Sequence, residues 1–217
     1  MTKSELYDAL ARTGKALSSG KRLEMLELLA QSERAVQELA SVAGLNLTTA
    51  SAHLQVLRDA GLVVSRRAGT RVIYRMAGDD VAELVTAMSR VAEHHRPEVR
   101  DAKARYLPDD VELMSRVELL EAAADGRVIV LDVRPRGEYE AGHLPGAVSI
   151  PVDELPDRLA EIPADAEVVA YCRGRYCVMS YDAVRLLSDA GLSARLLDEG
   201  VLEWRSDGVH TVTGSAQ

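Results

Sequence analysis

Apolar positions recur at helical spacing through the first sixty residues. Leu23, Leu26 and Leu29 stand three apart, with Lys21, Arg22, Glu24 and Glu27 on other faces, which predicts a helix. A short second helix begins at Val36, with Val36, Leu39 and Ala40 facing inward. Gly44 then supplies a tight turn, and Asn46 sits where an N-cap belongs. In the next helix Leu47, Ala50, Leu54 and Leu57 form an apolar stripe, and Gly61 closes it. Its other face carries Thr48, Thr49, Ser51, His53, Gln55 and Arg58. At residue 62 the pattern becomes β-rich: 62–67 and 71–75 flank Ala68-Gly69-Thr70 and predict a hairpin. A long helix is expected over about 79–106. Val81, Leu84, Val85, Met88, Val91, Ala92, His95, Val99 and Ala102 lie along one broad face of it. Leu107-Pro108-Asp109-Asp110 ends that helix and reads as a linker. Beyond it, short apolar runs at 128–131, 148–150, 168–171 and 194–197 alternate with helical stretches near 116–123, 138–141, 154–161 and 178–190. That alternation predicts a parallel α/β sheet. Two domains are therefore expected, 1–107 and 108–217, each long enough to bury its own core.

Charge changes this picture. The 217-residue chain has a net charge of −8, but residues 1–78 hold 11 Lys and Arg against 7 Asp and Glu, a net +4, leaving −12 for the rest. A basic N-terminal third fits a nucleic-acid partner. Two short helices about a glycine turn, the second with small polar side chains, make the helix–turn–helix pattern, whose second helix reads the major groove. The two helices alone fit a solvated helical hairpin equally well. The β-hairpin that follows, with Arg66, Arg67 and Arg71 at its tip where a wing would touch phosphates, favours double-stranded DNA. The one-sided long helix calls for a partner surface, most simply its copy in a homodimer. No apolar run approaches the roughly 20 residues of a membrane span, and the N-terminus lacks a signal-peptide core. A soluble, cytoplasmic protein is expected.

The stretches Glu38-Leu39-Ala40, Gly44-Leu45-Asn46, Thr49-Ala50-Ser51-Ala52-His53-Leu54-Gln55-Val56-Leu57-Arg58 and Ala60-Gly61-Leu62-Val63 resemble the ArsR/SmtB family of winged-helix repressors. The resemblance covers about residues 5–105. It implies a homodimer on a palindromic operator that represses until an inducer releases the DNA. The chain departs from the family in its sensors. Arg34-Ala35-Val36-Gln37-Glu38 has no thiol where many members carry a Cys-x-Cys pair, and Asp80, Glu83, His94, His95 and Glu98 do not match the spacing of the family's other metal site. No metal and no cofactor are expected.

The two cysteines, Cys172 and Cys177, lie in one short segment. Cys172 ends an expected strand, the edge at which open parallel sheets bind ligands. The loop Cys172-Arg173-Gly174-Arg175-Tyr176-Cys177 precedes a helix, so backbone amides and the helix dipole would stabilise an anion there, strengthened by Arg173 and Arg175. A cysteine so placed is a nucleophilic thiolate near neutral pH. The competing reading is a buried structural cysteine between surface arginines. Leu131-Asp132-Val133-Arg134, Glu138-Tyr139, Gly142-His143-Leu144-Pro145-Gly146-Ala147, and Gly200 with Trp204 are together similar to the rhodanese superfamily over roughly 112–214. That resemblance implies that Cys172 takes a sulfane sulfur from a donor as a persulfide and passes it to a thiol acceptor. Arg173 to Cys177 would cradle the sulfur, Asp132 and Arg134 would brace the loop, and His143 would anchor a turn rather than act in catalysis. Related phosphatases and arsenate reductases use Cys-x5-Arg, but position 178 here is Val, so their oxyanion clamp is missing. Cys177 is either a resolving thiol for Cys172 or a small apolar residue seating the next helix.

The expected function is a DNA-binding repressor whose rhodanese-like domain accepts sulfane sulfur on Cys172. A persulfide or a Cys172–Cys177 cross-link would tune DNA binding, a form of redox sensing. The alternative is a thiosulfate or persulfide sulfurtransferase whose N-terminal domain mainly dimerises or localises the enzyme.

Overall fold

Of the apolar stripes of the first three expected helices, Leu47 is 48% exposed and Leu23 and Val36 are half-buried, while Leu26, Leu29, Leu39, Ala40, Ala50, Leu54 and Leu57 are buried. In a computed structural model, which describes residues 1–124 and 128–214, they close the core of a first unit, Met1–Val85. Its elements are α1 (Lys3–Ala16), α2 (Gly20–Gln31), β1 (Arg34–Ala35), α3 (Val36–Val42), α4 (Leu47–Asp59), β2 (Val63–Ala68) and β3 (Arg71–Met76). Asn46 caps α4 as its sequence suggests, accepting the Thr49 amide at 2.8 Å. Gly44, at φ 62°, makes the turn between α3 and α4 in the left-handed region that a side chain would resist. The strands form an antiparallel sheet in the order β1-β3-β2, with Ala68 paired to Arg71 across the turn. Gly69, at φ 61°, takes the first turn position, where tight hairpins favour glycine.

The second unit, Thr86–Gln217, contains the end of α5 (Asp79–His95), then α6 (Pro97–Tyr106), β4 (Leu113–Met114), α7 (Arg116–Ala124), β5 (Val128–Asp132), α8 (Arg136–Ala141), β6 (Val148–Ser149), α9 (Leu155–Arg158), β7 (Glu167–Tyr171), α10 (Val178–Asp189), β8 (Ser193–Leu197) and α11 (Val201–Ser206). Its five strands are parallel, in the order β4-β8-β7-β5-β6. Alternation along central β7 serves two cores. Val168, Ala170 and Cys172 pack with Leu131, Leu155, Val184 and Leu187 on one side. Val169 and Tyr171 pack with Met114, Tyr139 and Trp204 on the other.

One expectation changes here. The single helix over 79–106 is two helices, because Pro97 has no amide to continue the ladder and instead starts α6. The residues expected to link two domains at 107/108 are tied into the second unit: Leu107 is buried in its core, and Asp110 pairs with Arg185 at 2.8 Å. By compactness alone the chain divides inside α5, between Val85 and Thr86. No described helix is long and apolar enough to cross a membrane.

Candidate functional site

In the first unit α4 buries Ala50, Leu54 and Leu57 and leaves Thr48, Ser51, Gln55 and Arg58 exposed. Thr49 and His53, expected on the same face, are half-buried, so they flank the exposed row rather than lead it. Gln55 donates to Asp59 at 2.6 Å and accepts from Arg58 at 2.5 Å, which holds this row in a fixed arrangement. On the wing, Arg66 pairs with Glu33, and Arg71 lies 3.9 Å from Glu38. Arg67 is exposed, with no ion pair among the described residues. Surface pairs of this kind are worth at most about 1 kcal/mol, so Arg66 and Arg71 can exchange their carboxylates for phosphates. Arg67→Ala and Arg71→Ala are each expected to weaken DNA binding uniformly across sequences. Each should lower the slope of log affinity against log salt by about 1, measured by anisotropy titration at several salt concentrations.

In the second unit β7 delivers Cys172 to the carboxyl edge of the sheet, and Cys177 is the N-cap of α10. The two sulfurs are joined in a disulfide with Cα atoms 6.2 Å apart, so both thiols are consumed in this state. They are 2% and 9% exposed, and both belong to the core on the α10 side of the sheet. The loop is tied down internally, the Cys177 amide donating to the Gly174 carbonyl at 3.0 Å. It is also held from below by α11, where Val201 and Leu202 donate to the carbonyls of Cys172 and Arg173. Gly200 permits this close passage, since a Cβ there would overlap the Gly174 nitrogen, the Cys172 carbonyl oxygen and the Arg173 carbonyl carbon. Backbone cannot retreat as a flexible side chain can. Gly200→Ala is therefore expected to displace the loop and cost about 1–3 kcal/mol of stability, read by urea unfolding.

Each arginine of the loop faces a carboxylate. Arg173 is bound in bidentate fashion by Glu138 of α8, at 2.7–3.1 Å, and that carboxylate is 1% exposed. Arg175 lies 3.6 Å from Glu203 of α11. Burial pushes the Glu203 carboxyl up; the Gly200 amide, which donates to it at 2.9 Å, and Arg175 oppose that only in part. Glu138 stands in the sequence motif, but its pairing with Arg173 has no local signature, because the partners are 35 residues apart.

Asp132, at the end of β5, and Arg134 form a fully buried pair, both side chains 0% exposed, with a 2.6 Å contact. Arg134 also donates to the Gly142 carbonyl at 2.7 Å, and its guanidinium lies 5.7 Å from the ring centre of Tyr171, which directly precedes Cys172. Burial works against the charge on Arg134, but hydrogen bonds and attraction from Asp132 outweigh it, and its pKa stays above the ordinary value. Burial, followed by the Asp132 charge, pushes the Tyr171 phenol well up; its oxygen accepts the Leu144 amide. His143 stacks on Tyr139 with centroids 3.6 Å apart, brings Nδ1 to the Tyr139 carbonyl at 2.8 Å, and pairs its backbone with Val212. Those contacts hold the turn that carries it. Among the described residues no group of three or more His, Cys, Asp or Glu is arranged to hold a metal ion.

One unit thus presents a helix–turn–helix with a basic hairpin, and the other a cysteine loop at the carboxyl edge of a parallel sheet. Together they describe a winged-helix DNA-binding regulator joined to an α/β module with a cysteine loop. Residues 19–65 match the family model for bacterial regulatory proteins of the arsR family, and residues 115–207 match that for the rhodanese-like domain. The HTH-type transcriptional regulator Rv0324 of Mycobacterium tuberculosis is 52% identical over 213 residues, which span 98% of this chain and 94% of that protein. A protein named sulfurtransferase from Allochromatium vinosum is 35% identical over 86 residues, 39% of this chain and 78% of that one. Among solved structures, the homodimeric winged helix-turn-helix DNA-binding domain of Mb0332 from Mycobacterium bovis is 54% identical. It covers 44% of this chain and 89% of its own, with a TM-score of 0.41. The chain belongs to the arsR family of bacterial regulatory proteins and carries a rhodanese-like domain.

Proposed function

We propose that this regulator is a cytoplasmic homodimeric repressor that senses sulfane sulfur through Cys172. The observation that carries the reading is that both thiols of the chain sit in one loop at the carboxyl edge of β7, close enough to bond to each other. The arsR-type unit has no thiol of its own.

In the open form the Cys172 thiolate attacks the outer sulfur of a donor. With thiosulfate, the sulfur–sulfur bond breaks, sulfite leaves with the bonding pair, and Cys172 becomes a persulfide. With a small-molecule persulfide the leaving group is the parent thiol, which takes up one proton. The Cys177 thiolate then attacks the inner sulfur of that persulfide, forming the Cys172–Cys177 bond and expelling hydrosulfide. The donor sulfur leaves reduced, and the two cysteines are oxidised by two electrons. Two equivalents of a small thiol restore the dithiol. The N-terminus of α10 stabilises the thiolate at the attacking position.

The homodimer rests on apolar side chains that the first unit leaves on the surface of α1 and the start of α5: Leu6, Leu10 and Leu84 are 45%, 62% and 39% exposed. The test is a titration of operator DNA with the wild type, Cys172→Ser and Cys177→Ser, each with and without thiosulfate or a persulfide donor. A wild-type affinity indifferent to donor overturns the sensor.

A second reading, a sulfurtransferase dimerised or localised by its N-terminal unit, is favoured by the similarity to the Allochromatium vinosum sulfurtransferase. In that case the Cys172 persulfide passes its outer sulfur to an acceptor thiol before Cys177 attacks. Multiple-turnover transfer by Cys177→Ser, with no effect on DNA binding, is the outcome that selects it.

A further inference from the structure

Tyr176, next to Cys177, turns its hydroxyl outward from the loop and donates it to the carboxylate of Glu93 on α5. Ser89, one turn earlier on the same helix, also interacts with the phenol. Lys103 of α6 completes the cluster: it pairs with Glu93 at 3.1 Å and lies 5.7 Å from the centre of the Tyr176 ring. These groups are half-buried. Burial and the bond to Glu93 push the phenol up. Burial would raise Glu93, but the bonds from Tyr176 and Lys103 outweigh it and hold the carboxyl low. The link is therefore a neutral donor on a charged acceptor, the stronger kind of hydrogen bond.

We propose that the Tyr176–Glu93 hydrogen bond is a latch that passes the state of the Cys172–Cys177 loop to α5. The inference rests on the reading of that loop as a sulfur acceptor. Coupling requires a contact made in one state and weakened in the other. The cross-link holds the Cα of Cys177 at 6.2 Å from that of Cys172, and so fixes the residue joined to Cys177, with its hydroxyl on Glu93. Opening the cross-link removes that restraint from Tyr176 and weakens the latch. Glu138 and Glu203, which hold Arg173 and Arg175, lie on α8 and α11. Tyr176 instead reaches α5, and α5 is an uninterrupted helix whose first residues, Asp79–Val85, belong to the other unit. Glu93 and Tyr176 are positioning residues: they do not touch sulfur.

The test uses the full chain in two forms, cross-linked and reduced with dithiothreitol, and follows amide hydrogen exchange over residues 86–106 together with operator affinity. In the wild type, exchange there should be slower in the cross-linked form by about tenfold, the worth of a hydrogen bond to a charged group. Glu93→Ala and Tyr176→Phe should show the faster, reduced-like exchange in both forms, and operator affinity no longer dependent on the loop. Glu93→Gln keeps an acceptor oxygen and should restore part of the difference, which a merely structural role for Glu93 would not require. Equal exchange in the two wild-type forms, or a full wild-type difference in Glu93→Ala and Tyr176→Phe, overturns the latch. A wild-type exchange difference without an affinity difference supports the latch and overturns the sensor. An affinity difference without an exchange difference does the reverse.

Discussion

Cys172→Ser is expected to abolish sulfur loading, cutting transfer from a thiosulfate or persulfide donor by about a thousandfold or more, the usual consequence of removing a covalent nucleophile. Serine fits the space, since Cys172 is 2% exposed in a packed core and the exchange changes little volume. The loss is separated from a loss of stability by comparing unfolding with the wild type under reducing conditions, where neither chain carries the cross-link. Cys177→Ser should separate the two steps. It should still take up one sulfur on Cys172, seen as a gain of one sulfur mass, but release no hydrosulfide and form no cross-link. If Cys177→Ser releases hydrosulfide at the wild-type rate, Cys177 is not the resolving thiol and returns to its other reading, a small apolar residue seating α10. If Cys172→Ser still gains sulfur, the nucleophile has been misassigned.

The second large effect concerns the buried pair. Arg134→Met leaves the Asp132 carboxylate uncompensated at 0% exposure and removes the donor to the Gly142 carbonyl. Breaking a buried ion pair by deleting one partner costs about 3–5 kcal/mol. The single tryptophan, Trp204, is fully buried against Tyr171 in this unit, so its fluorescence reports this unfolding transition without interference from the other unit. The expected result is a urea midpoint well below that of the wild type. A double change, Asp132→Leu with Arg134→Met, should recover most of the loss, because two apolar side chains carry no stranded charge. A single variant as stable as the wild type would show that the pair contributes nothing to the fold.

The parts legible in the sequence were those set by local rules. Leu26 and Leu29 of α2, Leu54 and Leu57 of α4, the Asn46 cap and the Gly44 and Gly69 turns need only neighbouring residues to specify them and stand where periodicity and turn chemistry place them, whereas Leu47, in the first turn of α4, is left exposed. The parallel strands were legible because buried strands alternating with helices leave few arrangements. Two local signals were overlooked: the Thr2/Glu5 capping box that starts α1, and Pro97, where an apolar face running past the proline masked the break between α5 and α6. The rest arises between residues distant in the chain. Leu107 looks like the start of a linker until the second unit's core closes over it. Arg173 and Arg175 look like free cations until Glu138 and Glu203 arrive from α8 and α11. The Tyr176–Glu93 bond spans 83 positions and joins two ordinary residue types, so no spacing rule could single it out.

Placing both thiols five positions apart in one loop has a kinetic consequence. Each cysteine is supplied to the other at an effective concentration set by the loop, not by how much protein is present. Closure of the cross-link is then first order and unchanged by dilution, whereas a bond between subunits would slow as the dimer dissociates. Under the proposed function, a scarce regulator built this way would answer to the ratio of sulfur donor to reducing thiol around it, whatever its own abundance.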